Sequence, residues 1–212
     1  MQKYTKCISP TLLIALLTVV GVMASQRTPL PIQKGDTLNS AERLVTSTQY
    51  LRIGTYNIHQ GEDIFGNDSI GELTQILKQA DLDVVALNEV GGNLLGTENQ
   101  AEELADLLDM GWLFSPARKK DFVANFGNAL LSRIEIHDYS IEPLIWQRTV
   151  DNFVHRSNAN RNMIVSKFMF MGQEVTLIAT HLDRGPLRTE QLEDVLNLTA
   201  MIIIVTAVLV YG

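Results

Sequence analysis

Apolar positions change from strand-like to helix-like spacing and back along the first part of the chain after residue 50. Apolar residues at alternating and adjacent positions in Leu51–Ile58 predict a strand. Ile70–Ala80 carries its apolar residues on one helical face, and Val84–Leu87 is a short apolar run typical of a strand buried on both faces. This early alternation of strands and helices favours α/β layers around a mixed sheet.

The later pattern predicts a hairpin, further strands and two more helices. Arg161–Met171 and Gln173–His181 flank Gly172 and indicate the hairpin. The other predicted elements are a helix at Glu98–Met110, strands at Asn128–Ser132 and Ile134–Tyr139, and a helix at Leu187–Leu198. Met201–Val210 is apolar and uncharged, and is short for a membrane span. It therefore forms either a further strand or an apolar tail.

The N-terminal segment is separate from the predicted fold. Lys3 and Lys6 precede an apolar run, which predicts a signal peptide at 1–24 and a secreted or periplasmic protein. An uncleaved membrane anchor is the alternative, although the run is shorter than the ~18–20 residues that a span needs. Membrane contact is expected only through this segment. The polar residues 25–49 predict a linker, and the domain is expected at 50–212.

Composition indicates one globular domain. The chain has 212 residues, of which 46% are apolar and 19% charged. The net charge of −7 gives no overall attraction for phosphates, so a nucleic-acid ligand requires a local basic cleft or bound cations. Cys7 is the only cysteine and lies within the predicted signal peptide, which excludes disulfide or thiol chemistry in the mature chain.

Three polar residues at strand ends are the candidates for chemistry. Glu89 follows a buried strand, where a carboxylate lies at the sheet edge that binds ligands in layered α/β proteins. Asn57 ends the first strand and can orient a phosphate oxygen or a metal-bound water. His181 ends an apolar strand and can donate a hydrogen bond to a phosphoryl oxygen or act as a general acid. A solvated loop carboxylate, a turn-forming asparagine and a capping histidine are the respective alternatives.

Other side chains supply hydrogen-bond donors suited to phosphate oxygens. They are Asn125, Asn128, Arg133, Arg156, Asn160 and Arg161. The run Arg118–Lys120 is basic as well, but a solvated loop is its more common role.

Four segments in one order resemble the endonuclease/exonuclease/phosphatase superfamily, which has the deoxyribonuclease-I-like fold. They are TYNIHQG at 55–61, DVVALNEV at 83–90, GNALLSRIEI at 127–136 and ATHLDRGPLRTEQLEDVL at 179–196. The resemblance implies an α/β fold, a four-layer α-β-β-α sandwich of two sheets between helices. It also implies phosphoester cleavage assisted by Mg²⁺ or Mn²⁺.

The resemblance also implies roles for the three candidates. Glu89 matches the metal ligand, Asn57 the residue that shapes the metal and phosphate site, and His181 the residue that contacts the scissile phosphate. The implied partner is a phosphoester substrate, either a nucleic acid, a nucleotide or a phospholipid. No stable protein partner is expected.

The chain departs from the family pattern at two places. Asn88 stands where the family usually has Gln. The family also continues beyond the last predicted helix to Gly-Asp-x-Asn, whose Asp positions the attacking water, and to a final Asp-His. Neither motif follows Leu198 here, so a C-terminally truncated domain with an impaired site is expected. The alternative is a non-catalytic or degenerate member that acts as a binding protein or is an unstable fragment.

Overall fold

The computed structural model describes residues 33–34, 50–93, 99–119, 124–145, 147–150, 153–156, 160–185, 187–198 and 203–206. The predicted signal peptide at 1–24 lies outside these residues. So does the predicted linker at 25–49, apart from a two-residue strand at Gln33–Lys34 that joins a sheet. Within the described part of the chain, no helix is both long enough and apolar enough to cross a bilayer.

The described residues form three α-helices, a 3-10 turn and eleven strands. The helices are α1 (Ile70–Ala80), α2 (Gln100–Leu108) and α3 (Arg188–Leu196), and the 3-10 turn is His59–Gly61. The strands are β1 (Gln33–Lys34), β2 (Ile53–Asn57), β3 (Val84–Asn93), β4 (Gly111–Lys119), β5 (Ala124–Ser132), β6 (Ile136–Pro143), β7 (Gln147–Val150), β8 (Phe153–Arg156), β9 (Asn162–Phe170), β10 (Gln173–Thr180) and β11 (Ile203–Thr206).

Two sheets carry the fold. The first has the strand order β1-β4-β5-β3-β2 and the second the order β11-β10-β9-β6, while β7 and β8 form a separate hairpin. The pairs β2–β3 and β10–β11 are parallel, and the other neighbouring strands are antiparallel. Because α1 connects β2 to β3, the parallel pair is the strand–helix–strand unit that the sequence predicts.

Three apolar clusters define the layers. Leu73 and Leu77 of α1 pack with Leu104 of α2 against the outer face of the first sheet. Side chains between the two sheets form the second cluster, which includes Phe168. Val195 of α3 belongs to the third cluster, on the outer face of the second sheet. The order helix, sheet, sheet, helix confirms the predicted α-β-β-α sandwich.

Local chemistry explains where α1 begins and ends. Asp68 Oδ1 accepts the Ile70 N–H at 3.1 Å and so satisfies one backbone donor of the first turn. Asp81 then adopts φ +48°, a left-handed conformation that ends the helix. Both bounds of α1 match the sequence prediction.

Some strands were not predicted from the sequence. The strand β4 contains Pro116 and charged residues, and β7 and β8 are only four residues long. For Met201–Val210 the sequence allows a strand or an apolar tail, and the structure has the strand β11 within this segment.

Candidate active site

A row of polar side chains crosses the first sheet where its apolar inter-sheet face ends. Asn57, Asn88, Asn128 and Ser115 are neighbours in register on β2, β3, β5 and β4. Neighbours in register project from the same face of a sheet. Asn88, Asn128 and Ser115 are nearly fully buried. We call these four residues the polar row, and it marks one end of the sandwich.

Asn162, the first residue of β9, connects the polar row to the second sheet. Its Nδ2 donates to Ser115 Oγ at 2.8 Å, and its Oδ1 accepts from Asn128 Nδ2 at 3.1 Å. Thr180 Oγ1, at the end of β10, donates to the Asn162 carbonyl oxygen at 3.0 Å. These bonds hold the ends of β9 and β10 against the row, which places His181 at the same end of the sandwich as Asn57 and Asn88.

His181 follows β10 directly and is 3% exposed. Its Nδ1 lies 2.9 Å from Nη1 of Arg161, the residue that precedes β9. Burial, then the nearby charges of Arg161 and Arg184, lower the pKa of His181 to about 4, and Asp183 opposes this shift. The imidazole is therefore uncharged at neutral pH.

Glu89 occupies a β-bulge next to the polar row. The pairing of β3 with β5 shifts between Asn88 and Val90, so Glu89 is left without a partner residue on β5. Its φ is +58°, which is rare for a residue with a side chain. A bulge of this kind turns a side chain away from the regular alternation of the strand. Glu89 is half-buried and lies within β3, which continues to Asn93, so the sequence prediction that the strand ends before Glu89 is wrong.

Gly127 on β5 lies opposite this bulge. It pairs with Val90 on one side and with Pro116 on the other, and both neighbouring strands are irregular at this point. A Cβ at Gly127 would collide with the Ser115 carbonyl oxygen. The close backbone approach therefore requires glycine here.

Gln100, the first residue of α2, holds the segment after the bulge. Its Oε1 accepts the Gly91 N–H at 2.8 Å, and its Nε2 donates to the Gln60 carbonyl oxygen. One side chain thus ties the strand that carries Glu89 to the 3-10 turn that follows Asn57.

Asn57 is fixed by the turn that follows it. Its Oδ1 accepts the His59 N–H at 2.9 Å. Its Nδ2, like that of the neighbouring Asn88, is buried and has no hydrogen-bond partner among the described residues. Two adjacent amide groups thus carry donors at this end of the sandwich, which suits an anion or an ordered water. The role of Asn57 as a metal ligand remains a prediction.

Binding of a divalent cation at this end of the sandwich depends on the acidic side chains that are present there. Among the described residues, no group of three or more His, Cys, Asp or Glu side chains is arranged to hold a metal ion. Mg²⁺, however, is commonly held by one or two carboxylates together with substrate phosphates and waters. Glu89 fits such a partial site, in which the substrate supplies further oxygens, and does not fit an all-protein cage.

The segment after His181 is held by α3. Gln191 is fully buried, and its Oε1 accepts the Asp183 N–H at 2.7 Å while its Nε2 donates to the Ile145 carbonyl oxygen at 2.9 Å. Arg188 Nε donates to the Asp183 carbonyl oxygen at 2.9 Å. These contacts were not predicted from the sequence, because a glutamine in a helix is usually exposed.

The predicted phosphate donors are not all at this end. Arg133 lies beyond the opposite end of β5, where it pairs with Asp81 at 2.8 Å. Asn128 and Arg161 lie at this end of the sandwich, and Asn125 lies on β5 beyond Gly127. The side chains of Arg156 and of the basic run 118–120 lie outside the described part of the structure.

No family model matches the chain, and no curated protein matches its sequence. Solved structures do match it. An endonuclease/exonuclease/phosphatase family protein from Leptotrichia buccalis superposes with a TM-score of 0.55 and 19% identity, over 71% of this chain and 62% of that one. An endonuclease/exonuclease/phosphatase from Beutenbergia cavernae gives a TM-score of 0.55 and 22% identity, over 71% of this chain and 44% of that one.

A protein described in the same way from Bacteroides thetaiotaomicron matches with a TM-score of 0.50 and 14% identity, over 74% of this chain and 62% of that one. The chain has the endonuclease/exonuclease/phosphatase fold. The resemblance seen in the sequence is thus confirmed at the level of the fold. The chain spans less than two thirds of the length of each of these three structures.

Proposed function

We propose that this protein is a phosphoester hydrolase of the endonuclease/exonuclease/phosphatase superfamily, dependent on Mg²⁺ or Mn²⁺. The observation that supports the proposal is that Glu89, Asn57 and His181 lie at the same end of the sandwich, where the polar row and Asn162 link the strands that carry them. The fold likeness supports it, because the matched structures are described as endonuclease/exonuclease/phosphatase proteins.

Each residue has a role that follows from its surroundings. Glu89 would hold the cation, which when bound neutralises charge on the phosphate oxygens. Asn57 and Asn88 present amide donors toward the same region and orient the substrate or an ordered water. His181 is uncharged at neutral pH, so a hydrogen bond to a phosphoryl oxygen is favoured over general acid catalysis by an imidazolium.

The substrate remains open between a nucleic acid, a nucleotide and a phospholipid. A second function, phosphoester binding without hydrolysis, is favoured by the single carboxylate that the described residues place at the bulge. Secretion or periplasmic location, with membrane contact only through the N-terminal segment, is part of the proposal and is carried by the sequence of residues 1–24.

Hydrolysis of bis(p-nitrophenyl) phosphate and p-nitrophenyl phosphate with Mg²⁺, Mn²⁺ or EDTA tests the proposal. We expect turnover with a cation, loss with EDTA, and a decrease of about 100-fold or more in Glu89→Gln. Glu135→Gln is the matched control, since Glu135 is an exposed carboxylate just beyond the opposite end of β5. Equal turnover of the two variants would refute the role of Glu89. Binding of Mg²⁺ and phosphodiester without turnover of any probe would support the binding function instead.

A further inference from the structure

The ends of β9 and β10 bring a guanidinium against one nitrogen of the His181 ring. These strands are antiparallel neighbours, and Thr180 pairs with Met163, so the residues just outside the pair are close in space. Arg161 precedes β9 and His181 follows β10. Arg161 Nη1 lies 2.9 Å from His181 Nδ1, within hydrogen-bond distance.

Only one arrangement of protons suits this contact. A guanidinium has N–H donors and no acceptor, and it keeps its charge at any physiological pH. His181 Nδ1 must therefore accept the bond with its lone pair. A neutral imidazole with a free lone pair on Nδ1 carries its proton on Nε2.

We propose that Arg161 is a positioning residue that holds His181 in the Nε2–H tautomer, leaving this N–H for an oxygen of the phosphoester substrate. The tautomer follows from the contact alone, and its use toward a substrate rests on the proposed function. Arg161 acts through His181, since removing the guanidinium would let the ring proton occupy either nitrogen.

The other charged groups near the ring support this arrangement. Arg184 lowers the pKa of His181 through its charge, as Arg161 does, while Asp183 acts in the opposite direction. His181 is 3% exposed, so little water is available to solvate an imidazolium. A second proton on Nδ1 would face the Arg161 guanidinium directly. The ring therefore stays neutral, and the contact with Arg161 selects which nitrogen keeps the proton.

Nitrogen NMR of the full chain, labelled with ¹⁵N in its histidine rings, tests the proposal without an activity assay. The sequence has four histidines, and the His181 signals are assigned by their absence in His181→Gln. At pH 7 we expect the wild type to show a protonated Nε2 and an unprotonated Nδ1 for His181. In Arg161→Met we expect a mixture of tautomers and a pKa that rises but stays below 6.5, because burial remains.

Two further variants separate the hydrogen bond from charge and from misfolding. Arg184→Met is the matched control, since it removes a neighbouring charge but should leave the tautomer unchanged. Arg161→Lys keeps a donor and should restore most of the Nε2–H form. Amide spectra establish that each variant is folded. A wild-type ring protonated on Nδ1, or an unchanged tautomer in folded Arg161→Met, would overturn the proposal.

Turnover distinguishes this inference from the proposed function. If the protein hydrolyses phosphoesters, Arg161→Met should lower kcat more than it raises KM, because a donor to the substrate acts mainly on charge that develops in the transition state. If no probe is hydrolysed, the NMR result still decides the role of Arg161. Failure of the proposed function and failure of this inference are therefore separate outcomes.

Discussion

Glu89 combines an unfavourable backbone conformation with the role of cation ligand that is proposed for it. A left-handed φ costs a residue with a side chain about 1–2 kcal/mol, and Glu89 has φ +58°. Such strain persists where the surrounding structure imposes it, often at functional sites. Here the bulge opposite Gly127 imposes it, and Gln100 fixes the strand on the far side. The backbone conformation of Glu89 therefore lowers the stability of the fold at the bulge.

Glu89→Gly should separate stability from metal binding. Glycine adopts φ +58° without steric cost, so the free energy of unfolding should rise by about 0.5–1 kcal/mol while Mg²⁺ affinity falls. Glu89→Gln keeps the side-chain volume, so it should lose Mg²⁺ affinity while its free energy of unfolding stays unchanged. Urea unfolding and calorimetric Mg²⁺ titration measure the two quantities. A less stable Glu89→Gly, or wild-type Mg²⁺ affinity in both variants, would contradict this account.

Individual site residues were predictable where a polar residue ends an apolar strand. Asn57, Glu89 and His181 all show this pattern, and the structure places each at a strand end or bulge. The importance of Asn162 and Gln191 could not be predicted in this way. Each lies within or at the start of a regular element, and its role depends on partners at least eight residues away in the chain.

At the scale of elements, Asn162 links the two sheets through hydrogen bonds. Its side-chain amide forms hydrogen bonds with Ser115 and Asn128 of the first sheet. Its backbone lies in β9 of the second sheet, where it pairs with β6. Side-chain bonds of this kind, buried between sheets, fix the relative position of the strands because the alternative is an unsatisfied polar group.

Asn162→Ala should therefore destabilise the fold by about 2–3 kcal/mol, since Ser115 Oγ loses its buried donor and Asn128 Nδ2 keeps only the Asn162 carbonyl oxygen as an acceptor. Thr180→Val is the comparison. It removes one donor to the Asn162 carbonyl oxygen, which still accepts from Asn128 Nδ2 at 3.1 Å, so a loss of about 1 kcal/mol is expected. Chemical denaturation of both variants measures the difference. Equal losses would show that the Asn162 amide does not join the sheets.

Elements were predictable where local chemistry decides them. The bounds of α1 follow from its apolar face and its caps, and the β9–β10 hairpin follows from Gly172 at φ +77°. The strand β4 was missed because Pro116 and Arg118 interrupt its apolar pattern. The bulge at Glu89 was missed because it depends on the pairing of β3 with Gly127, and strand pairing is not encoded in a local window.

At the scale of the whole molecule, two chain connections bring the candidate residues to the same end of the sandwich. The crossover through α1 brings Asn57 beside Asn88, because β2 and β3 are parallel neighbours. The β9–β10 hairpin brings His181 beside Arg161. The polar row and Asn162 then join these two halves across the sandwich. Asn57 and His181 were candidates from the sequence, but their neighbours Asn88 and Arg161 depend on strand pairing and were not predicted, nor were the hydrogen bonds that hold them.

Acid stability should report the burial of His181 in the folded molecule. Its pKa falls from 6.5 to about 4 on folding, so between these values the unfolded chain binds a proton that the folded chain does not. Stability from this group is fully present above about pH 6.5 and is lost as the pH falls toward 4. One pKa unit corresponds to about 1.4 kcal/mol, which gives a loss of about 2–3 kcal/mol between pH 6.5 and 4.5.

The comparison of wild type with His181→Gln isolates this contribution. Other groups titrate in both proteins, including Asp81, whose lowered pKa places its own effect below 3.8. The difference in unfolding free energy between wild type and variant should therefore fall by about 2–3 kcal/mol as the pH goes from 6.5 to 4.5. Urea unfolding at several pH values in this range measures it. A difference that stays constant with pH would mean that His181 is as readily protonated in the folded protein as in the unfolded chain, and the neutral donor assigned to it would then be wrong.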